Sequence, residues 1–205
     1  GVTITDNTIR LDSLHLKTSD SELRLQGKLR ISDAIPGGDP MDRYRADLHF
    51  APSVLNMADV IYFEKSLSGL ENIFRFEGRI RGKLSSIKAR NFRLEYGNST
   101  RLLGDITMNG LPDINETFIH LNIEDFRTTL DDISALRIPG DIGTVGGLNI
   151  PEELQRLGSV NMQGNLTGFY YDFVSYASFR TGLGSFSTDI SIREGESLES
   201  ILYDG

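Results

Sequence analysis

The residues of this chain able to do chemistry are three histidines, an acidic pair, two glycine clusters and a run of cations. His15, His49 and His120 have no second histidine within metal-ligand spacing, and each falls out of phase with neighbouring apolar positions. That is the placement of a solvent-facing strand residue, and no metal site is expected. Asp131 and Asp132 are an acidic pair beside apolar residues. Helix-start or turn chemistry accounts for them without a catalytic partner. Gly143-x-x-Gly146-Gly147 and Gly182-x-Gly184 complete neither phosphate-loop pattern. Asn98, Asn115 and Asn165 each begin a glycosylation sequon, a triplet that also suits turns. The cations Arg75, Arg79, Arg81, Lys83, Lys88, Arg90 and Arg93 would suit anionic lipid headgroups or a partner. The simpler reading is a solvated sheet face whose charges discourage edge pairing. No catalytic residue, cofactor site or metal site is expected, and the chain reads as a non-enzyme.

Most of these residues stand on strands. From Phe74 to Leu84 the side chains alternate strictly, with Phe74, Phe76, Gly78, Ile80, Gly82 and Leu84 on one face and Arg75, Glu77, Arg79, Arg81 and Lys83 on the other. A period of two marks a half-buried strand. Glycines on the dry side imply a sharp bend or a close backbone approach. The same alternation recurs through residues 9–31, with a change of parity at Asp12-Ser13 that predicts a bulge, and through residues 44–50, 87–96, 102–108, 117–126, 160–170, 173–181 and 186–192. Turns are predicted at Ser19-Asp20-Ser21, Ser85-Ser86 and Gly97-Asn98-Ser99. Short helices are predicted near Pro52–Ala58, Thr129–Ile133 and Pro151–Leu157.

Composition narrows the classes. A net charge of −8 argues against a general nucleic-acid binder. The absence of cysteine excludes disulfides, and no apolar run approaches the ~20 residues of a membrane span. Val2-Thr3-Ile4-Thr5 begins inside a strand pattern and Ile201–Gly205 stops as abruptly, so the sequence reads as a segment of a longer protein.

The later strands echo the central ones. Residues 76–97 lie over 162–184, matching Gly78 to Gly164, Ile80 to Leu166, Gly82 to Gly168, Ile87 to Phe173 and, after a one-residue insertion, Phe92 to Phe179. Residues 14–31 match 92–108 more weakly. Repeated hairpins cannot bury their apolar faces alone and must stack on neighbours. One elongated all-β unit over 1–205 is therefore expected, with approximate repeats 9–63, 70–133 and 159–205 and an irregular linker over 134–158.

FEGRIRGKL (76–84), FRLEYGNSTRLLGDITMNGLPD (92–113), ETFIHLNIEDFRTTLDDI (116–133) and NIPEELQRLGSVNMQGNLTG (149–168) carry a degenerate but recurrent hairpin pattern. It resembles the repeats of the AsmA-like superfamily, nearest to its TamB-type translocation-and-assembly-module branch as found in Bacteroidetes-like bacteria. The resemblance covers most of 70–193 and, loosely, 9–31. It implies an elongated curled antiparallel sheet folded into a taco-like trough with an apolar inside, in a periplasmic protein anchored in the inner membrane. It also implies a part in outer-membrane biogenesis, through phospholipid transfer and through assembly with a BamA-family outer-membrane protein. That partner would meet a C-terminal region this sequence does not match.

An apolar concave face would accept phospholipid acyl chains without a catalytic group, at about 0.8 kcal/mol per CH₂ removed from water. The expected groove lining is Phe74, Phe76, Ile80, Leu84, Phe92, Leu94, Ile106, Met108, Ile119, Leu121, Met162, Leu166, Ile190 and Ile192. Ordinary core packing is the rival reading for each. A structural scaffold that engages proteins by strand addition is the alternative function. A β-solenoid carbohydrate enzyme ranks last, because the acidic residues are scattered rather than clustered for acid/base work.

Overall fold

A computed structural model describes residues 1–33, 40–62, 65, 72–113, 115–138, 146–147, 157–169, 171–194 and 201–204. Its elements are β1 (Val2–Thr5), β2 (Thr8–Lys17), β3 (Glu22–Ile31), β4 (Tyr44–Asn56), α1 (Met57–Ile61), β5 (Ile73–Lys83), β6 (Ser86–Tyr96), β7 (Thr100–Asn109), β8 (Phe118–Thr129), α2 (Leu130–Ala135), β9 (Arg137–Ile138), β10 (Gly146–Gly147), β11 (Ser159–Phe169), β12 (Asp172–Thr181), β13 (Gly184–Glu194) and β14 (Ile201–Asp204). A 3₁₀ turn, Pro40–Arg43, leads into β4.

The chain is all-β. Twelve strands form one antiparallel sheet in the order β1 to β8, then β11 to β14, while β9 and β10 pair separately. β1 and β14 stand at opposite ends of that order, so the sheet is open. Each strand makes its substantial contacts with the strands it bonds to. The bulge expected at Asp12-Ser13 appears as a register shift between Leu11 and Leu14.

The helices are single turns that finish strands. Thr129 caps α2, accepting from the Asp132 N–H at 3.4 Å. Asn56 caps α1, accepting from the Ala58 N–H at 3.0 Å. The first helix begins later than the composition of Pro52–Ala58 suggests. Pro52 to Asn56 stays extended, with a bulge between Phe50 and Ser53 that keeps β4 paired to β5. Strand pairing overrides local propensity there. The helix expected over Pro151–Leu157 lies outside the described residues apart from Leu157, as does most of the expected linker.

The element series recurs as β1–β4–α1, β5–β8–α2 and β11–β14. β5 and β11 correspond residue for residue, since Ile80 and Leu166 hold equivalent places against Ala89 and Ser175. The match of Phe92 to Phe179 does not hold. Ala177 occupies the place of Phe92, and Phe179 that of Leu94, because the extra residue belongs to β6. It is Asn91, which adopts φ +47° at a bulge. Gly27 and Gly104 are also one pair out of step: Gly27 faces Leu11, before the bulge of β2, whereas Gly104 faces Phe92, after the bulge of β6.

Register puts the apolar positions of all the strands on one face. Among the described residues no second layer covers it. The accessible surface is 13257 Å², against about 9,600 Å² expected for a compact monomer of this mass. Yet Phe92 (9% exposed), Leu102 (8%) and Ile123 (6%) on that face are buried. Side chains of a single-layer sheet reach such burial when the sheet curls toward them. The fold is a curled antiparallel trough.

Candidate functional site

The apolar face is built of cross-strand rows. In one, Ile80 faces Ala89, Ala89 faces Ile106, Ile106 faces Leu121 and Leu121 faces Leu166. In the next, Phe76 faces Leu94, Leu94 faces Leu102, Leu102 faces Phe126, and Met162 lies between Phe126 and Phe179. Met108 and Ile119 share a third row with Ile87. Phe74 pairs with Tyr96 at the end of the strands, ring centroids 5.6 Å apart. All of these described large side chains except Leu102 remain half-buried rather than sealed.

Of the fourteen expected lining residues, the structure gathers eleven on this face: Phe74, Phe76, Ile80, Phe92, Leu94, Ile106, Met108, Ile119, Leu121, Met162 and Leu166. Leu84 lies past the end of β5, in the tight turn to β6, where its N–H donates to the Tyr44 carbonyl at 2.9 Å. Ile190 and Ile192 are placed by backbone register alone, opposite Ser175 and Phe173. The first unit contributes further residues that the expected lining left out. Leu14, Leu25, Leu29, Leu48 and Phe50 lie on the same face. Their signal was the same alternation, in strands whose connection to β5 composition does not reveal.

A fourth row explains where the face is closed. It runs Phe50, Gly78, Phe92, Gly104, Ile123, Gly164, Ala177, with large and absent side chains alternating. At Gly78 a large side chain settles over the bare backbone beside it. The Phe92 ring covers Gly78, and a Cβ there would come within 2.9 Å of its Cδ2. Phe50, Phe76 and Phe92 form a ring cluster with centroids 5.3 and 5.8 Å apart. Gly78 therefore makes room for a neighbouring side chain, whereas at Gly104 and Gly164 a Cβ would run into the backbone carbonyls of Asn122 and Tyr176, so those glycines admit a close approach of the next strand. The surface left for a ligand is the half-exposed rows on either side.

The opposite face is polar. His15, His49 and His120 all point there and are exposed; His15 meets Glu22 at 2.9 Å and His120 meets Thr167 at 2.8 Å. Several of the expected cations are paired across strands. Arg79 and Arg81 reach Asp47 at 2.8 and 3.1 Å, Lys83 reaches Asp42 at 2.6 Å, Arg93 reaches Glu77 at 2.6 Å, and Arg90 pairs with Asp105. The Arg79 hydrogen bond, helped by Arg81, holds the Asp47 carboxyl down to about 2 against the effect of its burial.

Asp131 and Asp132 stand in the first turn of α2, as helix-start chemistry predicts, and Asp132 has a second job in a distant turn. Its buried carboxylate accepts from the N–H groups of Asn98 (3.0 Å), Ser99 (2.8 Å) and Thr100 (2.8 Å) and from the Thr100 hydroxyl (2.9 Å). It ties the end of β8 to the β6–β7 turn. Burial raises its pKa, but the N–H donors of Asn98 and Ser99 and the contacts of Thr100 outweigh that, leaving it below the usual carboxylate range. Asp59 does the equivalent in the first unit, accepting from Thr18 at 2.7 Å and from Ser21 in the β2–β3 turn. Among the described residues no group of three or more His, Asp or Glu is arranged to hold a metal ion.

No protein-family model matches this chain, and no curated protein or solved structure matches it.

Proposed function

We propose that this chain is a segment of a periplasmic lipid conduit of the AsmA-like type, and that its apolar face carries phospholipid acyl chains between membranes. The observation that carries the reading is an apolar face continuous across the sheet, uncovered among the described residues, with most of its large side chains half-exposed. Such a surface costs free energy in water until something apolar lies on it. Each CH₂ of an acyl chain laid there contributes about 0.8 kcal/mol, so a bare trough suffices and no reacting group is required. Headgroups stay at the open, wet side. The resemblance to the TamB-type repeats supports the same reading.

Photoreactive residues at Ile80 and Ile106, two strands apart in one row, test it. Chloroform extraction and mass spectrometry of the purified protein should find phospholipid, and both positions should crosslink to acyl chains. Protein free of lipid, with crosslinks to polypeptide alone, overturns the conduit.

The alternative is an assembly scaffold that takes up partner strands, including those of a BamA-family protein. One observation favours it. Val2 and Ile4 on β1, the first strand in the sheet order among the described residues, are 54% and 73% exposed. Under that reading the crosslinks would appear at β1 and not at Ile80.

A further inference from the structure

The polar face holds a feature that acyl chains on the other side leave unexplained. Register stacks cations directly opposite one another on β2 to β6. Arg10 faces Lys28, Arg30 faces Arg45, Arg45 faces Lys83, Arg79 faces Arg90 and Arg81 faces Lys88. Adjacent strands are only about 4.8 Å apart, and like charges directly opposite destabilise a sheet. Asp47, set among them, is engaged by Arg79 and Arg81. Lys28, Arg30 and Arg45 are exposed, and none has a carboxylate within 4 Å among the described residues.

These cations border a groove of about 830 Å³ lined by Arg10, Lys28, Arg30 and Arg79, with Gln26 and His49 and with two carboxylates, Asp12 and Asp47, that are already held by Arg10 and by Arg79 and Arg81. A smaller one of about 270 Å³ lies beside it between Arg30, Arg45 and Arg81. The setting is a chain of net charge −8. Residues 1–101 hold 16 Lys/Arg against 13 Asp/Glu, whereas residues 102–205 hold 5 against 16. Positive charge is concentrated in the first half of the sequence.

We propose that this cationic face is a docking surface for an extended acidic polypeptide segment. Same-side carboxylates on an extended chain repeat at about 6.8 Å, the spacing of Lys28 and Arg30 on β3 and of Arg79 and Arg81 on β5. Guanidinium groups grip carboxylates bidentately, and a segment lying in the groove sets anions between the opposed cations. A broad polyanion fits less well. A planar anionic bilayer or a nucleic-acid duplex also faces the acidic half of the sheet, and that repulsion acts on an extended partner but not on a narrow one screened beyond about 8 Å. The cationic rows carry no Phe, Tyr or Trp ring on which an unpaired base would stack, and His49 offers the one imidazole among them.

The test is fluorescence anisotropy with a labelled peptide of alternating Glu and Ser, run beside phosphatidylglycerol vesicles and a single-stranded oligonucleotide. The peptide should bind at about 0.15 M ionic strength, weaken as salt rises further, and outcompete both other probes there. Arg30→Glu with Arg45→Glu should weaken it by about tenfold or more, a change of about 1.4 kcal/mol per decade. Arg180→Glu, at the other end of the sheet, should leave it unchanged. Arg30→Gln with Arg45→Gln, which keeps the surface polar, should give an intermediate loss and guards against misfolding of the charge-reversed form. No binding of the peptide, equal binding by the double variant, or tighter binding of vesicles or oligonucleotide overturns the proposal. Acyl-chain crosslinking at Ile80 is read separately, so failure of one reading leaves the other standing.

Discussion

The Asp132 carboxylate accepts four hydrogen bonds from a turn more than thirty residues earlier in the chain. Replacing it with Asn substitutes an N–H₂ for one of the accepting oxygens, against donors that cannot turn away. Asp132→Asn should cost about 2–3 kcal/mol, the scale of a hydrogen bond to a charged group left unmet, measured by urea denaturation. The pH dependence has a definite sign. A carboxyl held below its usual range stabilises fully above that range, near pH 4. The contribution is lost as pH falls further, so acid should release the β6–β7 turn while Asp132→Asn loses this dependence. Sequence alone marked Asp132 as helix-start or turn chemistry but not which turn, because its partners are distant. Nothing in the spacing of residues 129–135 points at Asn98.

At the scale of elements, the glycines separate two effects that sequence reading joins. Gly164 and Gly184 both adopt extended positive φ, +149° and +144°. A Cβ at Gly164 would run into the Tyr176 carbonyl and come within 2.7 Å of the Ala177 Cα, whereas nothing lies within 4 Å at Gly184. Gly184→Ala should therefore cost about 1–2 kcal/mol of backbone strain alone, and Gly164→Ala clearly more; thermal melts of the two variants rank them. Phe92, set between two glycines, should lose about 3 kcal/mol on truncation to alanine. The strands were legible because one wet and one dry face impose a period of two on Phe74–Leu84 and its counterparts. The bulge at Asn91 was not. A single extra residue in β6 leaves the alternation intact on either side, and an alignment can place it in either repeat. The opposed cations were hidden for a related reason. Arg30 and Arg45 are fifteen residues apart, and only the β3–β4 register brings them face to face.

For the whole molecule, surface is the governing quantity. A sheet with 13257 Å² accessible, and an apolar side uncovered among its described residues, should bind the dye ANS in its native state. That signal should fall when phospholipid is loaded, and it should persist in Arg30→Glu with Arg45→Glu, whose changes lie on the other side. A native protein that leaves ANS dark would mean that the apolar side is sealed.

The strict strand order has a kinetic consequence. Sheet proteins usually fold slowly because distant segments must find each other before any pairing rewards the loss of chain entropy. Here each strand of the large sheet bonds the sheet strand just before it, and only the step from β8 to β11 passes over other strands. Contact order is low for an all-β chain, so the polypeptide can lay down its sheet strand by strand in the order it emerges from a ribosome or a translocation pore. A chain ended after Ala135 should retain its eight-stranded portion, and folding should advance like a zipper from the first hairpin rather than wait for the last.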